Sequence, residues 1–365
     1  MRTADVVVLG GGLIGLAVAA KAAGFGASVL LVGQQRFGEA SPAGAGMLAP
    51  GAESDELPND PVRNFAVAGR DLYPSFLTAL REETGVDVPF DRRGILELVP
   101  DGEPTHRPRG SEWIDVHTLR ELEPKVGDFA GALLHPHDGA VDNVALFGAM
   151  QRRVESRASI ALVRAQARSV NATLARPRVV LESGDLLEGG TLVVATGAWA
   201  AQLDGLPRPL PVRPVRGQLI MLEGAFAQHV IYGGGGYLVP RRYPGVPMPL
   251  ERLIVGATME ETGFVNETTP QGLAELTAIV RRVFPASASA PVGSHWAGLR
   301  PITPDRLPIL GPDPDEPSLL YACGHGRNGI LLAPITGEAI GALAVGAPSP
   351  YDVSPFAIER FAGIQ

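Results

Sequence analysis

Residues 6–20 read VVVLGGGLIGLAVAA, and this stretch decides the fold. Its apolar start predicts a buried parallel strand, and the small residues after it predict a helix over residues 13–23. Gly10, Gly12 and Gly15 occupy the glycine positions of G-x-G-x-x-G between the two. In that motif the first glycine makes a tight turn, the second lets a pyrophosphate approach the backbone, and the third packs helix against strand. The stretch therefore predicts a dinucleotide-binding unit, with a purely structural glycine turn as the alternative.

The composition is that of an ordinary globular protein of one or two domains. The chain has 365 residues, of which 45% are hydrophobic and 19% charged. Its net charge of −8 argues against a nucleic-acid partner, because phosphate binding needs a basic face. The single cysteine, Cys323, excludes an internal disulfide and a cysteine-rich metal site, and it suits a reducing cytoplasm.

Two apolar stretches, residues 6–20 and 330–348, are the candidates for a membrane segment. The first is too short to cross a bilayer and contains four glycines. The second is interrupted by Pro334 and Glu338, so it predicts a buried helix packed on a cofactor domain. We therefore expect no membrane insertion and a cytoplasmic location.

The second predicted strand, residues 28–32, departs from the simple dinucleotide fingerprint. An acidic residue is expected at its end to hold the ribose hydroxyls. This chain has Gly33-Gln34-Gln35 there, and the nearest acid is Glu39. Gln34, or Gln35 in its place, is therefore the candidate ribose ligand.

Two further stretches would let a ligand approach the backbone closely. Residues 41–50 read SPAGAGMLAP, with almost nothing bulky before Met47. A flexible surface loop is the alternative, but Met47 and Leu48 are too apolar for a solvated linker. Residues 192–198 read LVVATGA, a hydrophobic strand that ends at Thr196 and Gly197. Both stretches are candidate contacts to a dinucleotide.

The remaining pattern predicts elements of both structural types. Residues 60–83 and 270–283 predict helices, and a helix capped by Asp142 or Asn143 should run to about residue 157. Short strands and turns over residues 86–142 indicate part of a second, mixed-sheet domain. Further strands are predicted over residues 160–170, 178–181, 213–222, 237–241 and 252–259, with the glycines at 233–236 as a hairpin turn or a loop over a pocket.

One run suggests a metal site at first sight, His135-Pro136-His137-Asp138. No further ligand follows at a spacing typical of zinc or iron, so we interpret the run as a structural turn and predict no metal.

The C-terminal third carries the residues best suited to substrate chemistry. Residues 295–305 read HWAGLRPITPD, and residues 321–330 read YACGHGRNGI. The second of these predicts a strand, a glycine-rich turn and a helix, whose N-terminus is another potential cofactor contact.

Taken together, these stretches resemble the D-amino-acid-oxidase-type FAD oxidoreductases over essentially the whole chain. Within that family the resemblance is greatest to the glycine oxidases of bacterial thiamine biosynthesis. It rests on several motifs in the same order: residues 40–41 with 45–50, then YLVPR at 237–241, VGATM at 255–259, WAGLRP at 296–301 and GHGRNGIL at 324–331.

The resemblance implies a fold of the α/β (α+β) class. A Rossmann-like FAD-binding domain would comprise residues 1–84, 144–212 and 297–365. A mixed-sheet substrate-binding domain would comprise residues 85–143 and 213–296, with the flavin at the junction between the two.

The resemblance also implies residue roles. Arg300 matches the arginine that binds the substrate carboxylate, Tyr237 a tyrosine that helps it, Met259 a pocket-wall position, and Arg327 a residue beside the flavin. For Arg300 the alternative is a surface salt bridge or a structural contact, and for Met259 core packing accounts equally well for the residue. The implied cofactor contacts are Gly10, Gly12, Gly15, Gln34, Ser41, Gly46, Met47, Thr196, Gly197, Gly324, His325, Arg327, Asn328, Gly329 and Ile330.

The function that follows is oxidation of glycine, or of another small amine or D-amino acid, by hydride transfer to non-covalently bound FAD. The products would be an imine or glyoxylate, ammonia and hydrogen peroxide, with O2 as the electron acceptor. Candidate partners are further copies of the chain and a thiazole synthase that receives the imine. The alternatives are an oxidase or dehydrogenase for sarcosine, D-proline or other D-amino acids, and a flavin-binding protein without turnover. An NAD-dependent dehydrogenase would explain only the first glycine motif.

Overall fold

The computed structural model describes residues 1–224, 227–241 and 252–363, and it confirms the predicted α/β class. Among these residues the strands are assigned to two eight-stranded sheets and one three-stranded sheet. The strands are β1 (Arg2–Leu9), β2 (Val29–Val32), β3 (Met47–Leu48), β4 (Phe90–Asp91), β5 (Ile95–Val99), β6 (Glu112–Asp115), β7 (Gly131–His135), β8 (Gly139–Val141), β9 (Ile160–Val163), β10 (Ala167–Asn171), β11 (Arg178–Leu181), β12 (Leu186–Val194), β13 (Arg213–Glu223), β14 (Val230–Gly233), β15 (Gly236–Arg241), β16 (Arg252–Gly256), β17 (Val292–Ile302), β18 (Ile309–Pro312) and β19 (Leu319–Cys323).

The helices flank these sheets. They are α1 (Leu13–Gly24), α2 (Ala40–Ala43), α3 (Asp60–Asp71), α4 (Tyr73–Thr84), α5 (Val116–Leu122), α6 (Asn143–Glu155), α7 (Pro270–Val283) and α8 (Ala333–Leu343). Short 3-10 turns complete the chain, among them residues Gly197–Gln202. None of the described helices is long and apolar enough to cross a bilayer.

The first sheet contains the glycine motif. Its strand order is β10-β11-β12-β1-β2-β9. The C-terminal part of β12 also pairs with β19, which in turn pairs with β18. Strands β1, β2, β9, β12 and β19 run parallel. Successive residues of β1 point to opposite faces, so Val6 and Val8 pack with α1 and α8, while Val7 and Leu9 belong to the core on the other face. Helix α8 packs along α1, as its buried composition predicted.

The second sheet is mixed, also as predicted. Its order is β17-β13-β16-β15-β14-β5-β7-β6, and β14 pairs with β5 in parallel while the other pairs are antiparallel. Helix α7 packs on β13 and β16. The predicted domain boundary at residue 297 falls inside β17, which pairs with β13 along its length up to Ile302. The division of the chain into two domains stays a prediction.

Several local expectations are confirmed. Asp142 caps α6, its carboxylate accepting from the amides of Val144 and Ala145 at 3.0 and 2.9 Å. Helix α7 covers its predicted range. The glycines at 233–236 close the hairpin between β14 and β15.

Other expectations were wrong in their bounds, each for a physical reason. The helix predicted over residues 60–83 is two helices, α3 and α4, because Pro74 has no amide hydrogen to continue the first and is favourable in the first turn of the second. The strand predicted over residues 160–170 is β9 and β10, because the chain leaves the parallel partner β2 and pairs antiparallel with β11. The helix predicted directly after the glycine-rich turn at 324–329 begins only at Ala333.

Candidate active site

A cavity of about 390 Å³ lies between the first sheet and the second. It extends from the carboxyl ends of β1 and β2 to β13, β15 and β17 of the second sheet. Ligands of doubly wound proteins bind at this end of the strands, and the volume is within the usual range for ligand sites. The cavity is therefore the candidate active site.

Most of the predicted site residues line this cavity. They are Gly10, Gly12, Gln34, Ser41, Gly46, Met47, Thr196, Gly197, Tyr237, Arg300, His325, Arg327, Asn328, Gly329 and Ile330. Gly15, Gly324 and Met259 are not among the lining residues. Met259 lies beyond the end of β16 and is 51% exposed, and its pocket role stays a prediction.

The glycine motif has the geometry that its spacing predicts. Gly10 has φ +120°, and a Cβ there would lie 2.1 Å from the Ala195 carbonyl oxygen. A Cβ on Gly15 would lie 1.9 Å from the Gly10 carbonyl oxygen, which explains the close packing of α1 on β1. Gly12 is the N-cap of α1 and brings no side chain into the cavity. Ser41 accepts from the Leu13 amide at 3.0 Å and so occupies one of the free amides of this helix end.

The residues present fit a flavin dinucleotide. Besides the glycine turn, the Thr196 hydroxyl is buried beside the cavity and has no hydrogen-bond partner among the described residues. Buried hydroxyls are normally hydrogen-bonded, so this atom is suited to a ligand group. Residues 325–330 line the same cavity, so segments from the first and the last third of the chain meet there.

Beyond the end of β2 lie the residues that stand where the dinucleotide fingerprint has an acid. Gln34 lines the cavity and Gln35 does not, so Gln34 stays the candidate ribose ligand. Glu39, the nearest acid in the sequence, lines the same cavity, and so does Arg36, which sequence reasoning missed. Glu39 is half-buried and accepts from the Arg36 amide at 2.9 Å, and burial raises the pKa of its carboxyl. The Arg36 guanidinium lies 5.0 Å from the ring centre of Trp199, a cation–π distance.

Arg300 and Tyr237 face the cavity from β17 and β15 of the second sheet, two strands that are separated by β13 and β16. The Arg300 guanidinium donates from Nη1 to the Thr258 carbonyl oxygen at 3.0 Å. A Cβ on Gly217 would lie 2.1 Å from that nitrogen, so only glycine leaves room for the guanidinium there. Gly256 plays the same part for the Tyr237 ring. Burial raises the pKa of the Tyr237 hydroxyl, while the nearby charges of Arg300 and Arg327 act to lower it.

Arg327 has a partner that the sequence did not reveal. Its guanidinium donates to the Glu53 carboxylate at 2.6 Å, and both residues line the cavity. Glu53 stands on a loop, and no periodic pattern marked it as a site residue. The same glutamate acts to raise the pKa of Tyr237, so Glu53, Arg327, Arg300 and Tyr237 form one electrostatic group.

Asp138 holds the loop that carries Glu53. Its fully buried carboxylate accepts from the amides of Gly51 and Ala52, each at 2.9 Å, and from Arg70 at 3.0 Å. His135, from the same run, lies 2.8 Å from Glu97. The run is thus a turn, as interpreted from the sequence. Among the described residues no group of three or more His, Cys, Asp or Glu could hold a metal ion.

Asp138→Ala should lower the free energy of unfolding by about 3 kcal/mol, because two amides and the buried side of Arg70 lose their acceptor. Asp71→Ala is the matched control, since Asp71 pairs with the same arginine but is 61% exposed. It should cost under about 1 kcal/mol. Denaturant unfolding of both variants measures the difference, and equal losses would contradict the assigned role of Asp138.

His325 and Cys323 are the other titratable groups at this end of the cavity. Burial lowers the pKa of His325 to about 3, so the imidazole is neutral, and its Nε2 lies 3.1 Å from the Thr336 hydroxyl. Burial raises the pKa of the Cys323 thiol to about 12. Neither group carries a charge at neutral pH.

The sequence of this chain matches the model of a known family over residues 5–343, the DAO family of FAD dependent oxidoreductases. The chain belongs to this family. Its cofactor is therefore FAD, as the sequence predicted, and the glycine turn and Thr196 supply independent structural support.

The curated relatives of this FAD dependent oxidoreductase include proteins named ThiO/ThiG and proteins named glycine oxidase. The bifunctional protein ThiO/ThiG of Synechocystis sp. is 34% identical over 98% of this chain and 54% of its own length. The glycine oxidase of Geobacillus kaustophilus is 30% identical over 98% of this chain and 97% of its own. The chain thus spans about half the length of the bifunctional relatives. The crystal structure of glycine oxidase from Geobacillus kaustophilus matches with a TM-score of 0.88 at 29% identity, covering 99% of both chains.

Proposed function

We propose that this chain oxidises glycine with FAD and O2, releasing glyoxylate, ammonia and hydrogen peroxide. The observation that carries the proposal is the placement of Arg300 and Tyr237 on the same cavity as the glycine turn and Thr196. A pair of side chains suited to binding a carboxylate therefore faces the proposed dinucleotide site. The similarity to proteins named glycine oxidase, at 30% identity over almost the full length of both chains, supports the choice of substrate.

Arg300 would bind the substrate carboxylate. Its planar guanidinium pairs with a carboxylate through two parallel hydrogen bonds, which orients the substrate as well as attracting it. The Tyr237 hydroxyl would donate a further bond, because burial raises its pKa and keeps the phenol protonated. Glu53 compensates the charge of Arg327, so a monocarboxylate would be directed to Arg300.

The reaction depends more on the orientation of the substrate than on acid–base catalysis by side chains of the protein. Bound FAD supplies a hydride acceptor for the α-carbon and passes the electrons to O2. With the carboxylate held by Arg300, the amine and α-carbon of glycine are oriented together. Water then converts the imine to glyoxylate and ammonia, so that glycine, O2 and water give glyoxylate, ammonia and peroxide.

FAD would be held without a covalent bond. Cys323 lines the cavity, but its thiol is buried and its pKa is raised to about 12, so little of the reactive thiolate forms at neutral pH.

The predicted partners belong to the same proposal. The bifunctional relatives combine a part similar to this chain with a second part of comparable length. This supports delivery of the imine to a thiazole synthase, in a thiamine pathway located in the cytoplasm. Assembly into a homo-oligomer remains a prediction.

A substrate panel tests the assignment. Oxygen uptake with glycine, sarcosine, D-proline and D-alanine should give the highest kcat/KM for glycine, with one peroxide formed per O2 consumed. A higher kcat/KM for another member would replace glycine as the substrate. Turnover with an artificial electron acceptor but not with O2 would make the chain a dehydrogenase.

A further inference from the structure

A connected group of polar side chains adjoins Arg300 without lining the cavity. It consists of Thr258, Gln218, Glu260, Arg216 and Thr269, which we call the Thr258 network. Gln218 and Thr258 are 0% and 1% exposed. A buried polar group is stable only when it is hydrogen-bonded, so the bonds within this network fix its geometry.

The Thr258 hydroxyl is held from two sides. It accepts from the backbone amide of Gln218 at 2.9 Å and donates to Glu260 Oε1 at 2.5 Å. The carboxylate of Glu260 also accepts from the Gln218 side chain at 2.7 Å and from Arg216 at 2.5 Å. These donors favour the ionised carboxylate and hold the pKa of Glu260 below its usual value.

The network continues to the start of α7. The Gln218 side-chain carbonyl accepts from the Thr269 amide at 2.8 Å, and its amide group donates to the Thr269 hydroxyl at 3.0 Å. That hydroxyl in turn accepts from the Gly272 amide and caps α7. A 14-residue helix thereby anchors one end of the network.

The other end of the network is the backbone of Thr258 itself. Its carbonyl oxygen accepts from Arg300 Nη1 at 3.0 Å. Thr258 lies beyond the last residue of β16, and its own amide makes only a long bond of 3.3 Å to Gln218. Two residues further on, the chain is held by backbone bonds of 2.9 Å in both directions between Glu260 and Arg216. The hydroxyl is the side-chain contact that holds Thr258 itself, so it contributes to the direction of this carbonyl. Gly217, beneath the guanidinium, has no side chain with which to hold it.

We propose that Thr258 is a positioning residue that aims Arg300 at the substrate carboxylate, with Glu260 as its anchor. Neither residue would touch the substrate. This proposal rests on the carboxylate-binding role given to Arg300 in the proposed function. It adds that the affinity for the carboxylate is set from outside the cavity, through the Thr258 carbonyl.

The test compares Thr258→Val with Thr258→Ser in the FAD-loaded protein. Valine has nearly the shape of threonine but no hydroxyl, whereas serine keeps the hydroxyl. The readouts are the Kd of acetate, measured by its perturbation of the flavin spectrum, and the KM and kcat of glycine. Thr258→Val should raise the acetate Kd and the glycine KM together, by about tenfold, with kcat changed much less. Thr258→Ser should restore both values to near those of the parent.

A second pair keeps the test decisive if Thr258→Val does not fold. Glu260→Gln removes the charge that receives Arg216 and should raise the acetate Kd in the same direction. Glu261→Gln is its control, because Glu261 is 70% exposed and pairs with Arg213 outside the network. Only the first of these two should change the Kd.

Two results would overturn the proposal. Unchanged acetate Kd values in both Thr258→Val and Glu260→Gln would show that the carbonyl needs no such support. An equal loss in Thr258→Val and Thr258→Ser would show a packing effect of the substitution. If the parent protein binds FAD but its spectrum responds to neither acetate nor glycine, the proposed function itself fails, which is seen before any variant is made.

Discussion

Arg300→Leu should lower kcat/KM for glycine by about 10²- to 10³-fold and leave FAD bound. The leucine removes both the charge and the paired donors, and loss of one partner of a buried, hydrogen-bonded charge pair costs roughly 2–5 kcal/mol. Since Arg300 stands on the second sheet and the glycine turn on the first, the dinucleotide contacts should survive. Steady-state kinetics and the flavin absorbance of the purified variant measure the two parts separately.

Arg213→Leu is the matched control for that variant. The backbone of Arg213 pairs with Ile302 on β17, the strand that carries Arg300. Its side chain is 52% exposed and forms a salt bridge with Glu261. It should leave kcat/KM within about twofold of the parent, since exposed ion pairs contribute little. If Arg300→Leu loses flavin together with activity, Arg300 is a structural residue and the carboxylate-binding role is wrong.

Gly12→Val should abolish FAD binding in a protein that still folds. Gly12 has φ −74° and ψ 175°, a conformation open to any residue, and a Cβ there would meet only the Ser41 hydroxyl, at 3.4 Å. The obstruction would therefore fall on the ligand, whose pyrophosphate must approach this backbone. Flavin fluorescence titration and thermal unfolding without added FAD measure the two effects.

Gly148→Val supplies the comparison, because a Cβ at Gly148 has open space around it, in α6 away from the cavity. That variant should bind FAD like the parent. Normal FAD affinity in Gly12→Val would show that the pyrophosphate does not pass this glycine.

The parts of the site that sequence predicts are those whose chemistry is local. Gly10, Gly12 and Gly15 are recognisable because one turn between a strand and a helix requires all three. Thr196 follows a strand of the same sheet, and Arg300 and Tyr237 lie in motifs that resemble those of a known family. For the three glycines the spacing along the chain already contains most of the geometry, whereas the roles of Arg300 and Tyr237 are implied by the resemblance.

The parts that sequence misses depend on distant partners. Glu53 and Arg327 are separated by 274 residues, and Asp138 is 87 residues from the Gly51 amide that it holds. The prediction of one strand over residues 160–170 was wrong for a similar reason. The chain breaks there because it changes its sheet partner, and no local signal marks that change. For Met259 the motif suggests a pocket wall, while the strand before it ends at Gly256 and the side chain is 51% exposed, so its role stays a prediction.

In the proposed reaction this FAD dependent oxidoreductase takes its electrons from glycine. The most direct measurement mixes the FAD-loaded protein with glycine under anaerobic conditions while the flavin absorbance is recorded. The flavin should bleach, and admitting air should restore the colour, with peroxide and glyoxylate released. A flavin that stays yellow with saturating glycine, in protein that binds acetate at the same site, would contradict it.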